Sequence, residues 1–127
     1  MRALLINVYV SDLDYAMKWY QESLGFKLSN DHYNYPVAID LVHNSEIRLL
    51  LHKAEKPTNI EISEDSATVI TFQVDDIREK IKEFKRKGIE FLHDEPQFFP
   101  LGEWIAFKDP FGNILELAEL KSEAQLG

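Results

Sequence analysis

The chain has no cysteine among its 127 residues, which excludes disulfide scaffolds, thiolate zinc sites, cysteine nucleophiles and iron–sulfur clusters. It has no apolar run near the roughly 20 residues of a bilayer span. The opening Met1-Arg2-Ala3-Leu4-Leu5-Ile6-Asn7 turns polar too early for a signal peptide, so a cytoplasmic chain with no membrane partner is expected. Positive charge is also short: 14 bases face 22 acids for a net charge of −8, and the one basic block is Lys85-Arg86-Lys87. Such a chain repels a phosphate backbone, and no nucleic-acid partner is expected. Three motifs of enzyme chemistry are missing as well: a glycine-rich phosphate loop, a Gly-x-Ser-x-Gly elbow and a His-Glu-x-x-His helix.

What remains is 45% apolar and 28% charged, the profile of one ordinary globular domain. At this length roughly two thirds of the unfolded surface is buried on folding, enough for a core without covalent staples. The run Ala3 to Val10 is β-branched and aromatic and reads as a buried strand. Ser11 and Asp12 then cap a helix whose apolar stripe is Leu13, Met17, Tyr20 and Leu24, stopped by Gly25. Strand-like runs follow at Phe26 to Leu28, Tyr35 to Val42 and Glu46 to Lys53.

After a polar stretch the pattern restarts. Thr68 to Val74 reads as a strand, and Asp75, Asp76 and Glu79 form a capping box before a helix with the stripe Ile77, Ile81, Phe84 and a stop at Gly88. Three more strands are read at Ile89 to Leu92, Glu103 to Lys108 and Ile114 to Glu119. Both halves are βαβββ. Val10-Ser11-Asp12-Leu13 superposes on Val74-Asp75-Asp76-Ile77 at an offset of 64, and the closing strands superpose at an offset of 67, which lays Leu49 on Glu116. The expected fold is α+β, two tandem βαβββ modules forming a cupped mixed sheet. Module one is about 1–54, a linker about 55–66, module two about 67–120 and a C-terminal tail 121–127, all in one domain spanning 1–127.

Val8-Tyr9-Val10-Ser11-Asp12-Leu13, Trp19-Tyr20, Leu24-Gly25-Phe26 and above all Phe107-Lys108-Asp109-Pro110-Phe111-Gly112-Asn113-Ile114-Leu115-Glu116-Leu117 carry a resemblance over about residues 2–120. They resemble the vicinal oxygen chelate superfamily, which includes glyoxalase I, the bleomycin-resistance proteins, the fosfomycin-resistance enzymes and the extradiol dioxygenases. The resemblance implies two modules lining a central cavity, often in a homodimer, with metal ligands drawn from the first and last strands of each module. Those ligand positions fall here on Leu5, Leu49, Val69 and Glu116. Three of the four are hydrocarbon, and Leu or Val offers no donor to a divalent ion. Slipping the alignment by one residue brings Leu4 or Ile6, Arg48 or Leu50, and Thr68 or Ile70 to those places, and a metal site is still not restored. No metal and no other cofactor are expected.

Strand alternation assigns to the same face as those positions Leu5, Asn7 and Tyr9, then Ile47, Leu49 and Leu51, then Val69, Thr71 and Gln73, and finally Ile114, Glu116 and Ala118. An apolar floor with a few polar groups is the composition of a small-molecule pocket. The residues expected to bind ligand are Asn7, Tyr9, Leu49, Val69, Thr71, Gln73, Trp104 and Glu116, with Glu116 the candidate catalytic group. Each has a plainer use. Glu116 can be satisfied by Gln73, Thr71 or water, Asn7 and Gln73 can bond each other, and the aromatics Tyr9, Tyr33, Tyr35, Phe98, Phe99 and Trp104 can serve core or interface packing. His32, His43, His52 and His93 lack metal-site spacing, and only His52 is placed near the mouth of the cup. Arg48 is assigned to the helix-facing side as an ion-pair residue.

Two functions are compatible with these residues. One is a metal-free cup that sequesters or senses a small molecule, with which the net charge agrees if that molecule is a cation. The other is a lyase, isomerase or dioxygenase of the glyoxalase type, with unrecognised metal ligands or with Glu116 as general base. A cup filled by its own Leu5, Leu49, Leu51 and Val69 would leave only surface roles. Exposed sheet edges, together with the resemblance, imply a homodimer.

Overall fold

The computed structural model describes residues 1–2, 4–29, 35–42, 49–54 and 68–121. The chain divides into two compact units, Met1–Asn59 and Ile60–Gly127, and the stretch expected to be a linker lies outside the described residues. Each unit is a βαβββ module. The first contains β1 (Ile6–Val10), α1 (Leu13–Leu24), β2 (Lys27–Leu28), β3 (Ala38–Val42) and β4 (Leu49–Lys53), in a sheet of order β1-β4-β3-β2. The second contains β5 (Ile70–Gln73), α2 (Ile77–Arg86), β6 (Gln97–Phe99), β7 (Gly102–Lys108) and β8 (Ile114–Leu120), in the order β5-β8-β7-β6. In both, the first and last strands pair in parallel and the remaining pairs are antiparallel.

Local chemistry accounts for the helices. Asp12 accepts a hydrogen bond from Tyr15 N at 3.0 Å and Asp76 one from Glu79 N at 3.1 Å, so each helix starts on a carboxylate cap. Gly25 ends α1 in the left-handed region, with its N–H on Gln21 O and that of Phe26 on Tyr20 O, both at 3.1 Å. The α1 stripe is rotated from the expected one: Leu13, Ala16, Tyr20 and Ser23 are buried, while Met17 and Leu24 are half-buried. Small Ala16 and Ser23 let the helix settle closely against its sheet, and Tyr20, fully buried, packs against Trp19 and Phe26. The stripe of α2, Ile77, Ile81 and Phe84, is as read from the sequence.

Two strand readings need correction. Ile89 to Leu92 is not a ladder strand; Phe91 makes a single bridge with Phe107, flanked by Leu92 N–H on Ala106 O at 2.9 Å and Lys108 N–H on Glu90 O at 3.2 Å. The chain then leaves β7 for residues 93–96, where Pro96 has no N–H to give a ladder. It rejoins β7 as β6, a strand the sequence reading missed. Likewise Tyr35 to Val37 forms a turn, and β3 starts only at Ala38, after Pro36.

A further correction concerns register. Ile6 pairs with Leu49 in the first module and Ile70 with Leu115 in the second. With the first strands offset by 64, the closing strands are therefore offset by 66 rather than 67, and Glu116 corresponds to Leu50. Because side chains alternate with a period of two, one residue of slip exchanges the faces of a strand. Leu49 and Leu51, 1% and 0% exposed, lie with Val8 and Val10 on the buried side against which α1 packs. Leu50 lies on the other side.

Candidate functional site

In the second module, register places Thr71, Glu116 and Ala106 in one cross-strand row and Gln73, Ala118, Trp104 and Gln97 in the next, all on the face opposite Ile105, Phe107, Leu115 and Leu117. The latter four are buried and form the core with Phe84, whose ring meets that of Phe107 edge-on at 5.3 Å. That core is held by straps at one end of α2: Glu119 Oε1 accepts from Ile77 N at 3.0 Å, and Arg78 Nη1 donates to Glu103 Oε2 at 2.6 Å. Beyond β7, the chain turns on Asp109, whose Oδ1 accepts from Phe111 N and Asn113 N at 2.9 Å each and whose Oδ2 accepts from Asn113 Nδ2 at 2.7 Å. This closed turn sets where β8 begins, and so fixes which of its residues faces β5.

Thr71 Oγ1 donates to Glu116 Oε1 at 2.8 Å, its one hydrogen-bond partner among the described residues. Glu116 is half-buried, not enclosed in hydrocarbon. Thr71 and Gln73 are exposed, and the floor between the flanking side chains is small, with Ala106 and Ala118 at 4% and 5% exposure. Trp104 is half-buried and its ring stands perpendicular to that of His93, centroids 5.0 Å apart. His93 Nδ1 in turn accepts from Ala106 N at 3.4 Å, so the neutral ring carries its proton on Nε2. Lys108 lies on the same face, opposite Ile114. Val69 is half-buried and precedes the ladder.

The matching face of the first module has a different character. Asn7 pairs with Leu50 and Tyr9 with His52. The Tyr9 and His52 rings are 4.9 Å apart, and Tyr9 remains 49% exposed. Asp40, opposite Leu50 on β3, is 1% exposed. Of the residues expected to bind ligand, Thr71, Gln73, Trp104 and Glu116 thus share one face of the second module, and Asn7 and Tyr9 share one face of the first. Leu49 sits on the buried side for the register reason given above. Phe99 shares the Trp104 face, whereas Phe98, 78% exposed, points the other way with Glu103. Tyr33, His32, His43, Ile47 and Arg48 lie outside the described residues.

Sequence reasoning missed His93 against Trp104, Lys108 and buried Asp40. For Asp40 a signal was present, a lone carboxylate in the apolar run Val37-Ala38-Ile39-Asp40-Leu41-Val42. For His93 there was none, because its contact depends on the chain leaving and rejoining β7. Two further clefts are present among the described residues, the first reaching Gln73 at the edge of the candidate face. One of about 530 Å³ runs along α2 past Asp76, Glu79, Lys80, Glu83 and Arg86, and one of about 220 Å³ lies by Asp12, Asp14, Tyr35 and Lys53. The first is lined mainly by charged groups, and the second mixes Asp12, Asp14 and Lys53 with Ser11, Leu13, Tyr35 and Pro36.

The sequence model described as Glyoxalase/Bleomycin resistance protein/Dioxygenase superfamily matches residues 2–117. The chain belongs to this superfamily. Uncharacterized protein YetH of Bacillus subtilis (strain 168) is 32% identical over 117 residues, covering 90% of this chain and 94% of its own length. Among solved structures, lactoylglutathione lyase from Agrobacterium tumefaciens aligns with a TM-score of 0.70 at 19% identity, over 94% of each chain. The fosfomycin resistance protein FosX from Listeria monocytogenes, complexed with Mn(II) and sulfate ion, aligns with a TM-score of 0.72 at 18% identity, over 96% of this chain and 92% of that one. These two likenesses establish the shared fold. No helix among the described residues is long and apolar enough to cross a membrane.

Proposed function

We propose that this member of the superfamily is a small-molecule-binding protein that works without a divalent metal, sequestering or sensing its ligand on the face that carries Glu116. The observation that carries the reading is the Thr71–Glu116 hydrogen bond at 2.8 Å, a positioned carboxylate with one oxygen left for a ligand, beside Trp104 and over a floor of alanines. FosX is complexed with Mn(II), and the residues here do not fit such an ion. Glu116 and the Thr71 hydroxyl are the donors of the second module's central row, and the corresponding row of the first module is Asn7, the hydrocarbon Leu50 and Asp40, the last 1% exposed. Among the described residues no group of three or more His, Asp or Glu side chains converges. A carboxylate and a hydroxyl leave a divalent cation short of the donors that replace its water.

A second reading has support from the same hydrogen bond. Thr71 leaves the other carboxylate oxygen of Glu116 available to take a proton, as a general base in glyoxalase-type isomerisation or lysis requires. A homodimer belongs to the proposal as well, supported by the edge strands at both ends of each sheet, β1 and β2, β5 and β6. Sedimentation as a monomer at micromolar concentration contradicts that part.

The test is a melting-temperature screen of the full chain against small molecules of all charges, with divalent metal content measured in parallel by mass spectrometry. A ligand near 100-fold above its dissociation constant adds about 2.7 kcal/mol to stability, a shift of several degrees. The expected result is such a shift, lost in Glu116→Gln, with no stoichiometric metal. One equivalent of bound metal overturns the metal-free reading. A turnover whose pH profile is abolished by Glu116→Gln favours the general base.

A further inference from the structure

We infer that the ligand taken by the Glu116 face is a planar organic cation of the amidinium or guanidinium kind, its π face on Trp104 and its N–H groups on the Glu116 carboxylate. This rests on the small-molecule reading above and specifies its substrate class. Ala106 is the residue directly opposite Glu116, and Trp104 is its diagonal neighbour, within reach of a long or aromatic side chain across the ladder. The alanines between them leave a shallow floor, with Ala118 facing Trp104. An indole ring attracts a cation over its face, and a planar cation with two N–H groups matches a carboxylate in a fork. Glu116 gives Thr71 only Oε1, so Oε2 is available. His93, perpendicular to the indole with ring centroids 5.0 Å apart, packs against that ring.

Charge decides between cation and anion here, and the face contains one of each sign. Lys108 is the other diagonal neighbour of Glu116, and it makes no ion pair with any described residue. It stands four residues from Trp104 along β7, about 13 Å at strand spacing. Glu116 lies about half as far from a group stacked on Trp104. Since Coulomb energy falls as the inverse of distance and salt screens beyond about 8 Å, attraction to Glu116 outweighs repulsion from Lys108 about twofold or more. The wider field agrees. Residues 60–127 contain fifteen acids and eight bases, whereas residues 1–59 are nearly balanced, seven against six.

Benzamidinium, benzamide and benzoate have one shape and charges of +1, 0 and −1. Their binding is read by Trp104 fluorescence in a Trp19→Phe background, since Trp19 is the other tryptophan and lies on α1 of the first module. Benzamidinium is expected to bind about tenfold more tightly than benzamide, and benzoate more weakly than both. Glu116→Gln removes the preference for the cation while leaving benzamide unchanged. Lys108→Met strengthens benzamidinium about twofold. Thr71→Val, which keeps the carboxylate, preserves the order and serves if Glu116→Gln fails to fold. Benzoate binding as well as benzamidinium overturns the inference, as does a cation preference that survives Glu116→Gln. Silence of all three up to about 10 mM overturns it too. A neutral or anionic hit in the melting-temperature screen then leaves the small-molecule reading standing, and a screen with no hit removes both.

Discussion

The two modules share strand order, parallel closing pair and carboxylate-capped helix, yet their open faces differ: Asn7, Tyr9, Leu50 and His52 on one, Thr71, Gln73, Glu116 and Ala118 on the other. Their buried faces are closely alike, Val8, Val10, Leu49 and Leu51 against Leu115, Leu117, Ile105 and Phe107. The buried face must keep packing density, where removal of a single methylene is felt. The open face is released from that demand, and there the second module has Glu116 held by Thr71 where the first has Leu50 beside Asp40. A duplicated fold therefore carries its chemistry asymmetrically: the half-buried carboxylate is Glu116 of the second module, whereas Asp40 of the first is 1% exposed.

The sharpest way to break this comparison is to place one polar group on each side of β4. Leu49→Gln buries an unpaired amide at a position 1% exposed and is expected to cost about 3 kcal/mol, whereas Leu50→Gln, half-buried on the open face opposite Asp40, is expected to cost under about 1.5 kcal/mol. Urea unfolding measures both, and the reverse order would restore the offset of 67. Next in size is Asp109→Ala. It leaves Phe111 N and Asn113 N without their acceptor inside the turn that sets the start of β8, an expected loss of about 2 to 3 kcal/mol by the same measurement. An unchanged midpoint would mean that the turn does not set the register of Glu116.

Smaller again is Glu119→Ala, which frees Ile77 N at the start of α2 and is expected to cost about 1 kcal/mol. Hydrogen exchange confined to the first turn of α2 checks it, and no gain in exchange there would show the strap to be dispensable. The smallest effect is a pH dependence. The Lys80 hydrogen bond holds the Glu83 carboxyl below its ordinary value of 4.5, against an opposing burial penalty and with added attraction from Lys80, Lys87 and Arg86. A lowered folded-state value means that the contribution is present above pH 4.5 and lost as the pH falls through the folded value. Both side chains are about 40% exposed, so Lys80→Ala is expected to remove only a few tenths of a kcal/mol at pH 6, an effect that fades as acid protonates Glu83 below pH 4.5.

Much of the fold was legible because its signals are local. Asp12, Asp76, Gly25 and the stripe Ile77, Ile81, Phe84 mark helices by residue type and spacing within a dozen positions, and the repeat of those marks at an offset of 64 announces two modules. The face of β4 was not legible. Leu49-Leu50-Leu51 is apolar throughout, so it has no period-two signal, and a superposition one residue out reads just as well. β6 was missed because three residues after Pro96 form a strand only by pairing with β7. On the candidate face, Thr71, Gln73 and Glu116 were within reach of alternation, whereas Trp104 sits in the apolar run Trp104-Ile105-Ala106-Phe107 and was read only as one of several aromatics.

By itself the sequence determined the βαβββ pair, both helix caps and the absence of thiol chemistry, all properties of residue identity and near-neighbour spacing. Only the tertiary structure decided that Thr71 is the partner of Glu116, that Leu50 rather than Leu49 faces the open side, and that His93 stands against Trp104. Those outcomes depend on which backbone N–H meets which carbonyl between segments up to 45 residues apart. A one-residue slip in that pairing turns every side chain of a strand to the opposite face.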